Sequence, residues 1–181
     1  MMKRVGLALS VLLMLAGAPA PSRAGSAADI SAGVNATLRR FYSHVGGAHD
    51  LVDRARGVLV FPSIVKAGVG IGGEYGEGEL RIGGQSGGYY NSVSASIGFQ
   101  LGVEERSVVL LFMTDEALAA FRKTHGWKVG VDGSVAIITL GAGGAIDSNK
   151  ITQPVIGFIL DPKGLMYNLT LEGSKISKIS R

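Results

Sequence analysis

The chain has 181 residues, which is enough for one domain with a sizeable core and too few for two domains of ordinary size. Hydrophobic residues make up 46% of it and charged residues 18%, and this balance excludes a wholly disordered chain. Lysine and arginine number 18 against 14 aspartates and glutamates, a formal net charge of +4, which taken alone suggests a nucleic-acid or anionic-membrane partner. Glycine is unusually frequent, with 28 residues.

The beginning of the chain has the pattern of a secretory signal peptide. A short basic start precedes an apolar run over residues 5–18, and Ser22-Arg23-Ala24 places small residues before a cleavage point at Gly25. The apolar run is shorter than the roughly 20 residues of a membrane-spanning helix. We therefore predict a signal peptide over residues 1–24 and a single exported domain over residues 25–181, either periplasmic or secreted.

Cleavage changes the charge argument. Without Lys3, Arg4 and Arg23, the chain keeps 15 lysines and arginines against 14 acidic residues, a net charge of +1. A second possible cleavage site follows Ala20. Because aromatic residues make up only 7% and no basic-aromatic platform is visible, we predict no nucleic-acid partner. The chain has no cysteine, so its core must stabilise it without disulfides.

Helical segments are predicted on both sides of a strand-rich region. Apolar residues recur at helical spacing in the first segment, at Ile30, Val34, Leu38, Phe41 and Val45. A second, short helix is predicted over residues 50–56, and a third over residues 115–124 with Thr114 as its N-cap. We expect the apolar stripe of the first helix to pack in the core, with release onto a membrane as the open alternative.

The remaining segments are predicted to be strands. Residues 65–88 are dense in glycine, which within a strand marks a bulge, a tight bend or the close approach of another backbone. In residues 89–103 apolar and small polar residues alternate, and we expect the apolar set to be buried and the serine set to face water or a wet cavity. Further strands are predicted over residues 107–113, 133–140, 155–160 and 165–171. The predicted fold class is α+β, a single domain with a strongly bent, partly barrel-like antiparallel sheet and a few packed helices.

Two motifs resemble enzyme signatures. Gly68, Gly70 and Gly73 fit the dinucleotide fingerprint, but the acidic, glycine-broken residues 74–79 that follow them cannot open a phosphate-binding helix. Residues 84–88 fit G-x-S-x-G, but a strand and not a helix is predicted after Ser86. We therefore predict a protein that is not an enzyme and has no cofactor, with a Ser86-dependent hydrolase as the least favoured alternative.

Carboxylates and cations form two further candidate groups. Glu74, Glu77, Glu79 and Asp132 could gather round a hard cation such as Ca²⁺, or be solvated or paired with basic side chains, and the sequence leaves this open without predicting a metal site. The basic residues near the first two helices could contact anionic lipid headgroups. They are Arg39, Arg40, Arg54, Arg56 and Lys66. The competing interpretation pairs Asp50 with Arg54 and Asp53 with Arg56.

Several segments together resemble one known family, the SYLF domain family. They are residues 55–62, 72–78, 89–102, 111–121 and 130–135, which read ARGVLVFP, GGEYGEG, YYNSVSASIGFQLG, LFMTDEALAAF and GVDGSV. The resemblance covers about residues 28–179 and implies phospholipid binding through basic residues and an N-terminal amphipathic helix. Some eukaryotic members also bind actin. The chain departs from those members in its predicted signal peptide and in having no appended SH3 domain.

From this resemblance we expect a phospholipid-binding, membrane-peripheral protein of the bacterial cell envelope. Its partner would be an anionic phospholipid or membrane surface, with Arg39, Arg40, Arg54, Arg56 and Lys66 as headgroup candidates. An envelope protein partner is the alternative, and the polar face of the strand over residues 89–103 would then be the contact surface.

Overall fold

A computed structural model of the protein describes residues 25–139, 152–164, 171 and 173–181. The predicted signal peptide and most of the predicted strand over residues 165–171 lie outside this part of the chain. The elements in chain order are α1 (Ala27–His44), α2 (Ala48–Arg54), β1 (Gly57–Ile82), β2 (Gln85–Phe112), α3 (Asp115–Lys123), β3 (Trp127–Lys128), β4 (Ala136–Thr139), β5 (Val155–Gly164) and β6 (Lys175–Ile179).

The sheet is built on one long hairpin. β1 and β2 pair antiparallel on either side of a turn at Gly83 and Gly84, whose positive φ angles suit glycine. The other edge of β2 pairs with β6 along residues 89–93 and with β5 along residues 104–112. β3 then lies beside β6, and β4 beside β5. The sheet curls into a half-barrel, which confirms the predicted α+β fold class.

One pairing corrects the prediction of an antiparallel sheet. β4 and β5 run parallel, with Ala136 opposite Ile156 and Thr139 opposite Ile159. A parallel pair requires a long connection between its strands, and the chain from Thr139 to Val155 is long enough to provide one. The sheet is therefore mixed at this edge.

The first helix docks on the sheet as its periodicity predicts. Ser26 and Asp29 form a capping box at its start, and Ile30, Val34 and Phe41 are buried. These side chains pack on one face of the sheet. That face is formed by Val58, Val60, Val109, Leu111, Ile156, Phe158 and Leu160. The apolar stripe of α1 is thus part of the core.

The opposite face of the same strands carries a second core. Leu59, Leu110 and Phe112 point into it, and α3 adds Phe121, whose ring lies 4.7 Å from that of Phe112 between centroids. Trp127 packs edge-on against Phe121 at 5.6 Å. We call residues 57–64 together with residues 106–112 the base end of the hairpin. At the base end, apolar side chains are buried on both faces of the sheet.

Glycines let the hairpin fold over on itself. Strands of 26 and 28 residues would span roughly 85–95 Å if straight, at about 3.3 Å per residue, so they must bend to fit one domain. A Cβ atom on Gly78 would lie 2.2 Å from the carbonyl oxygen of Val60, and one on Gly68 would lie 2.4 Å from the Cα of Gly72. The predicted close backbone approach is confirmed. We call residues 65–75 together with residues 93–105 the bend end.

Candidate functional site

The bend end has its polar face inside and its apolar face outside. On β2, Tyr90 and Ser92 are buried, whereas Val93 is 43% exposed and Val103 is 60% exposed. The prediction that the apolar set of residues 89–103 is buried is therefore wrong at these positions. Because side chains alternate along a strand, Val93 and Val103 lie on the opposite face from Ser92 and Glu104.

A buried ion network explains why the polar face turns inward. Arg106 donates through Nη2 to Glu74 Oε2 at 2.7 Å and through Nη1 to Glu104 Oε1 at 2.8 Å, and all three side chains are almost fully buried. Lys66, also buried, lies opposite Glu104 across the β1–β2 ladder. Among the described side chains of this interior, two are cations and two are carboxylates. Buried charges are tolerated when they are paired in this way.

The outer side of the bend end exposes several apolar side chains. Ile71 is 71% exposed, and Tyr75 lies directly opposite Val93 across the ladder. We call the set of exposed apolar side chains on this side the exposed apolar face: Val65, Ile71, Tyr75, Val93 and Val103. Ala67, Gly73 and Ala95 are exposed between them. Exposed apolar side chains grouped in this way form a candidate contact site.

Basic side chains continue this face towards the edge of the sheet. Tyr75 is opposite Val93, Val93 is opposite Lys175 on β6, and Lys175 is opposite Lys128 on β3. Lys128 and Lys175 are both exposed. One row across four strands thus passes from apolar to cationic, the arrangement expected of a surface that meets both the apolar and the anionic parts of a lipid layer.

Tyr75 is fixed at the margin of the face by hydrogen bonds. Its hydroxyl donates to Glu77 Oε1 at 2.6 Å, and Arg181 pairs with the same carboxylate. Burial, and then the neighbouring Glu77, raise the pKa of Tyr75. Burial opposes ionisation of Glu77, but the hydrogen bonds from Tyr75 and Arg181, the charge of Arg181 and the Gly25 amide outweigh it and lower its pKa.

The predicted headgroup residues do not form one cluster of unpaired cations. Arg40 pairs with Asp161 at 3.1 Å and donates to Ser107 at 3.0 Å. Arg39 is exposed on α1, whereas Lys66 lies in the interior of the bend end.

The other two headgroup candidates form ion pairs. Arg54 is 3.6 Å from Asp50, the pairing proposed from the sequence. Arg56 is 3.6 Å from Asp115 and not, as proposed, paired with Asp53.

The exposed apolar face was not predicted from the sequence. Its apolar residues alternate with small polar residues, which is the usual pattern of a strand whose apolar side is directed to the core.

The two enzyme-like motifs lie within strands. Gly68, Gly70 and Gly73 are inside β1, with no helix after them, and Ser86 follows the hairpin turn as an exposed residue of β2. Within the described residues no histidine hydrogen-bonds to Ser86: His44 contacts Ser43 and Arg40, and His49 stacks on Tyr42. The geometry of a serine hydrolase is therefore absent from this part of the chain.

The candidate carboxylates are held apart by separate partners. Glu74 pairs with Arg106, Glu77 with Arg181, and Glu79 with Arg81 at 2.9 Å. Asp132 accepts a hydrogen bond from the backbone amide of Lys128 at 2.7 Å. Among the residues that the structure describes, no group of three or more histidines and carboxylates is arranged to hold a metal ion.

The comparison with known families supports a lipid-binding or actin-regulator-type role for the domain. Residues 93–180 match the family model Ysc84, described as "Las17-binding protein actin regulator". The predicted resemblance to the SYLF family is thus confirmed over residues 93–180. No curated protein matches the chain. None of the described helices has the length and apolar character needed to cross a bilayer.

Proposed function

We propose that the protein is a non-enzymatic, phospholipid-binding protein that associates peripherally with an anionic membrane of the bacterial cell envelope. The observation that carries this proposal is the inverted bend end, where paired charges fill the interior and apolar side chains face outward. Neither the burial of a charged side chain such as Arg106 nor the exposure of an apolar side chain such as Ile71 makes the protein more soluble. A partner that receives the exposed apolar face accounts for the arrangement.

The position of α1 determines which surface makes the contact. Its apolar stripe is buried against the sheet, so the helix is not free to enter a membrane in this conformation. The exposed apolar face supplies the alternative contact. At about half exposure, each of its five side chains contributes roughly 1 kcal/mol on transfer to an apolar layer, before the cost of immobilising the protein. A sum of that size suits reversible, peripheral binding.

A single fluorophore can test this contact directly, because the chain has no cysteine of its own. We expect an environment-sensitive dye at Ile71→Cys to shift to the blue on vesicles that contain phosphatidylglycerol. The same dye at Val131→Cys serves as the matched control, since Val131 is 76% exposed but lies outside the exposed apolar face. An equal response at both positions, or none at Ile71→Cys, would contradict the proposed contact.

Co-sedimentation measures how much the face contributes. Replacing Ile71 and Val103 together by serine should weaken vesicle binding by roughly 30-fold, while Val131→Ser leaves it unchanged. The free energy of unfolding should change by less than about 0.5 kcal/mol in each variant, since the replaced side chains are exposed. If the unaltered protein fails to sediment with neutral and anionic vesicles at both low and high salt, the proposed lipid-binding function is contradicted.

A protein partner in the envelope is the second candidate function. The description of the matched family as a protein-binding actin regulator favours it, and so does the apolar character of the face. A photocrosslinker on Ile71→Cys separates the two candidates in cells. Adducts with lipid favour the membrane, whereas a discrete protein adduct that is absent from Val131→Cys favours the partner.

We also propose export with cleavage before Gly25. The backbone nitrogen of Gly25 lies 3.1 Å from Glu77 Oε2, and the N-cap of α1 follows at Ser26. Cleavage at this point would convert that nitrogen into an ammonium group facing a carboxylate. Intact-mass measurement of the protein from a periplasmic fraction should give a chain that starts at Gly25. A full-length chain in the cytoplasmic fraction alone would contradict export.

A further inference from the structure

A basic pocket lies between the end of α3 and β6. It has a volume of about 240 Å³, equal to the share of roughly eight liquid water molecules at about 30 Å³ each. Arg122 enters it from the last turn of α3, and His125 from the turn that follows. Lys175 and Lys178 enter from β6. Four side chains that carry or can acquire positive charge thus converge on one small cavity.

The pocket also supplies neutral hydrogen-bond donors. The hydroxyl group of Ser177 belongs to a lining residue, and Tyr90 forms part of the wall. Burial raises the pKa of Tyr90, while the nearby charge of Arg122 acts in the opposite direction, so its hydroxyl remains a donor at neutral pH. No carboxylate is among the described residues that line the cavity. Its chemistry is that of an anion site.

The charges in the pocket differ from the six arginines that form ion pairs elsewhere in the described residues. Arg40, Arg54, Arg56, Arg81, Arg106 and Arg181 each lie beside a carboxylate. Within the described residues, no carboxylate forms an ion pair with Arg122, Lys175 or Lys178. The helix dipole accounts for Arg122 at the end of α3. It does not account for the two lysines, which reach the same place from a distant strand.

The position of β6 explains how the pocket forms. β3 pairs with β6 at Lys175 and Ile176, and the chain immediately before β3 is the turn at residues 124–126. The edge of β6 at Ser177 and Lys178 is therefore open beneath the end of α3. Gly126 is required here, since it has φ = +76° and the Lys175 side chain crosses the space that a Cβ would occupy.

The geometry points to a binding site for a phosphate ester in this pocket, with Arg122, Lys175 and Lys178 as the charged contacts. Lys175 lies directly opposite Val93 of the exposed apolar face. Lys175 is therefore shared by the pocket lining and the row that continues that face, and a phosphate bound to Lys175 would lie at the margin of the face. The lipid as the source of the phosphate rests on the proposed function, whereas the phosphate site itself does not. A soluble phosphate ester has the same chemistry.

The test has a soluble arm and a vesicle arm. In the first, glycerol 3-phosphate is titrated into the protein and followed through the amide NMR signals of residues 124–126 and Ser177. In the second, vesicles of phosphatidylcholine with and without phosphatidylglycerol are co-sedimented with it. The variant is Lys175→Gln with Lys178→Gln. The control is Lys123→Gln with Lys163→Gln, which removes the same charge outside the pocket, and thermal unfolding checks that both are folded.

We expect the pocket signals to shift with glycerol 3-phosphate in the unaltered protein and the control, and not in the pocket variant. We also expect the pocket variant to bind phosphatidylglycerol vesicles about tenfold to thirtyfold more weakly than the control. A loss in the vesicle arm alone supports the site with a lipid as its ligand. A loss in the soluble arm alone supports it with a soluble ester.

Two results separate this inference from the proposed function. If the pocket variant and the control behave identically in both arms while the vesicles still bind, the pocket is overturned and lipid binding stands. If no protein binds vesicles but the pocket signals shift with glycerol 3-phosphate, lipid binding fails and the phosphate site stands.

Discussion

The base end and the bend end of the hairpin are continuous strands with opposite relations to solvent. At the base end, Leu59 and Val60 point to opposite faces of the sheet and both are fully buried. At the bend end, Lys66 and Glu104 are buried while Ile71 and Val103 are exposed. The same alternation of side chains therefore gives two cores in one region and an inverted surface in the other.

The difference follows from what covers each face. Helices α1 and α2 cover one face of the base end, and α3 with Trp127 covers the other, so apolar residues are favoured on both. No described helix covers the outer side of the bend end. Its inner side is filled by the network around Arg106. Apolar burial is thus concentrated at the base end, whereas the bend end buries paired charges and exposes apolar surface.

The largest expected effect comes from breaking the buried network. Replacing Arg106 by leucine leaves Glu74 and Glu104 buried without their guanidinium partner, and should lower the free energy of unfolding by about 3–5 kcal/mol. Urea unfolding followed by circular dichroism measures the change. Adding Glu74→Gln to Arg106→Leu, which leaves Lys66 opposite Glu104, should restore most of the loss. A single variant as stable as the unaltered protein would mean that the network is not required inside the bend end.

The next effect tests the doubling over of the hairpin. Gly78→Ala brings a Cβ to 2.2 Å from the Val60 carbonyl oxygen, and should cost about 1–3 kcal/mol of unfolding free energy. Gly73→Ala is the matched control, because no atom lies within 4 Å of its Cβ position. Thermal unfolding of both variants gives the comparison. Equal melting temperatures would show that the two halves of β1 are not in contact.

The smallest effect concerns the margin of the exposed apolar face. Because the pKa of Glu77 is lowered in the folded state, its contribution to stability is present above the unfolded pKa of about 4.3 and is lost as the pH falls through the folded value. Glu77→Gln should therefore reduce stability at neutral pH, by less than about 1 kcal/mol. The difference between the two proteins should shrink towards pH 3. A constant difference across this range would contradict the assignment.

Several features could be predicted from the sequence because they depend on local chemistry. The stripe from Ile30 to Val45 predicted the docking side of α1, and Thr114 with Gly126 predicted the limits of α3. The alternate glycines predicted close backbone approach before any partner strand was known. In each case, one segment carries the whole signal.

The candidate site could not be predicted in the same way. The alternation in residues 89–103 specifies two faces but not which one is inside, and the usual assumption placed Val93 in the core. The interior is polar here because Glu74, from a strand segment some thirty residues away, meets Arg106. The basic pocket likewise joins Arg122 to Lys178 across a separation that no local pattern reveals.

The amino-acid composition is that of a modestly basic chain rich in glycine. The sequence by itself determined the apolar stripe of the first helix, the bending of the hairpin and the α+β fold class. These follow from periodicity and from the absence of a Cβ, which are properties of neighbouring residues. Tertiary structure alone decided that charges lie inside the bend, that Ile71 faces outward, and that cations from α3 and β6 share a pocket. Burial and charge pairing depend on segments that meet only when the chain has folded.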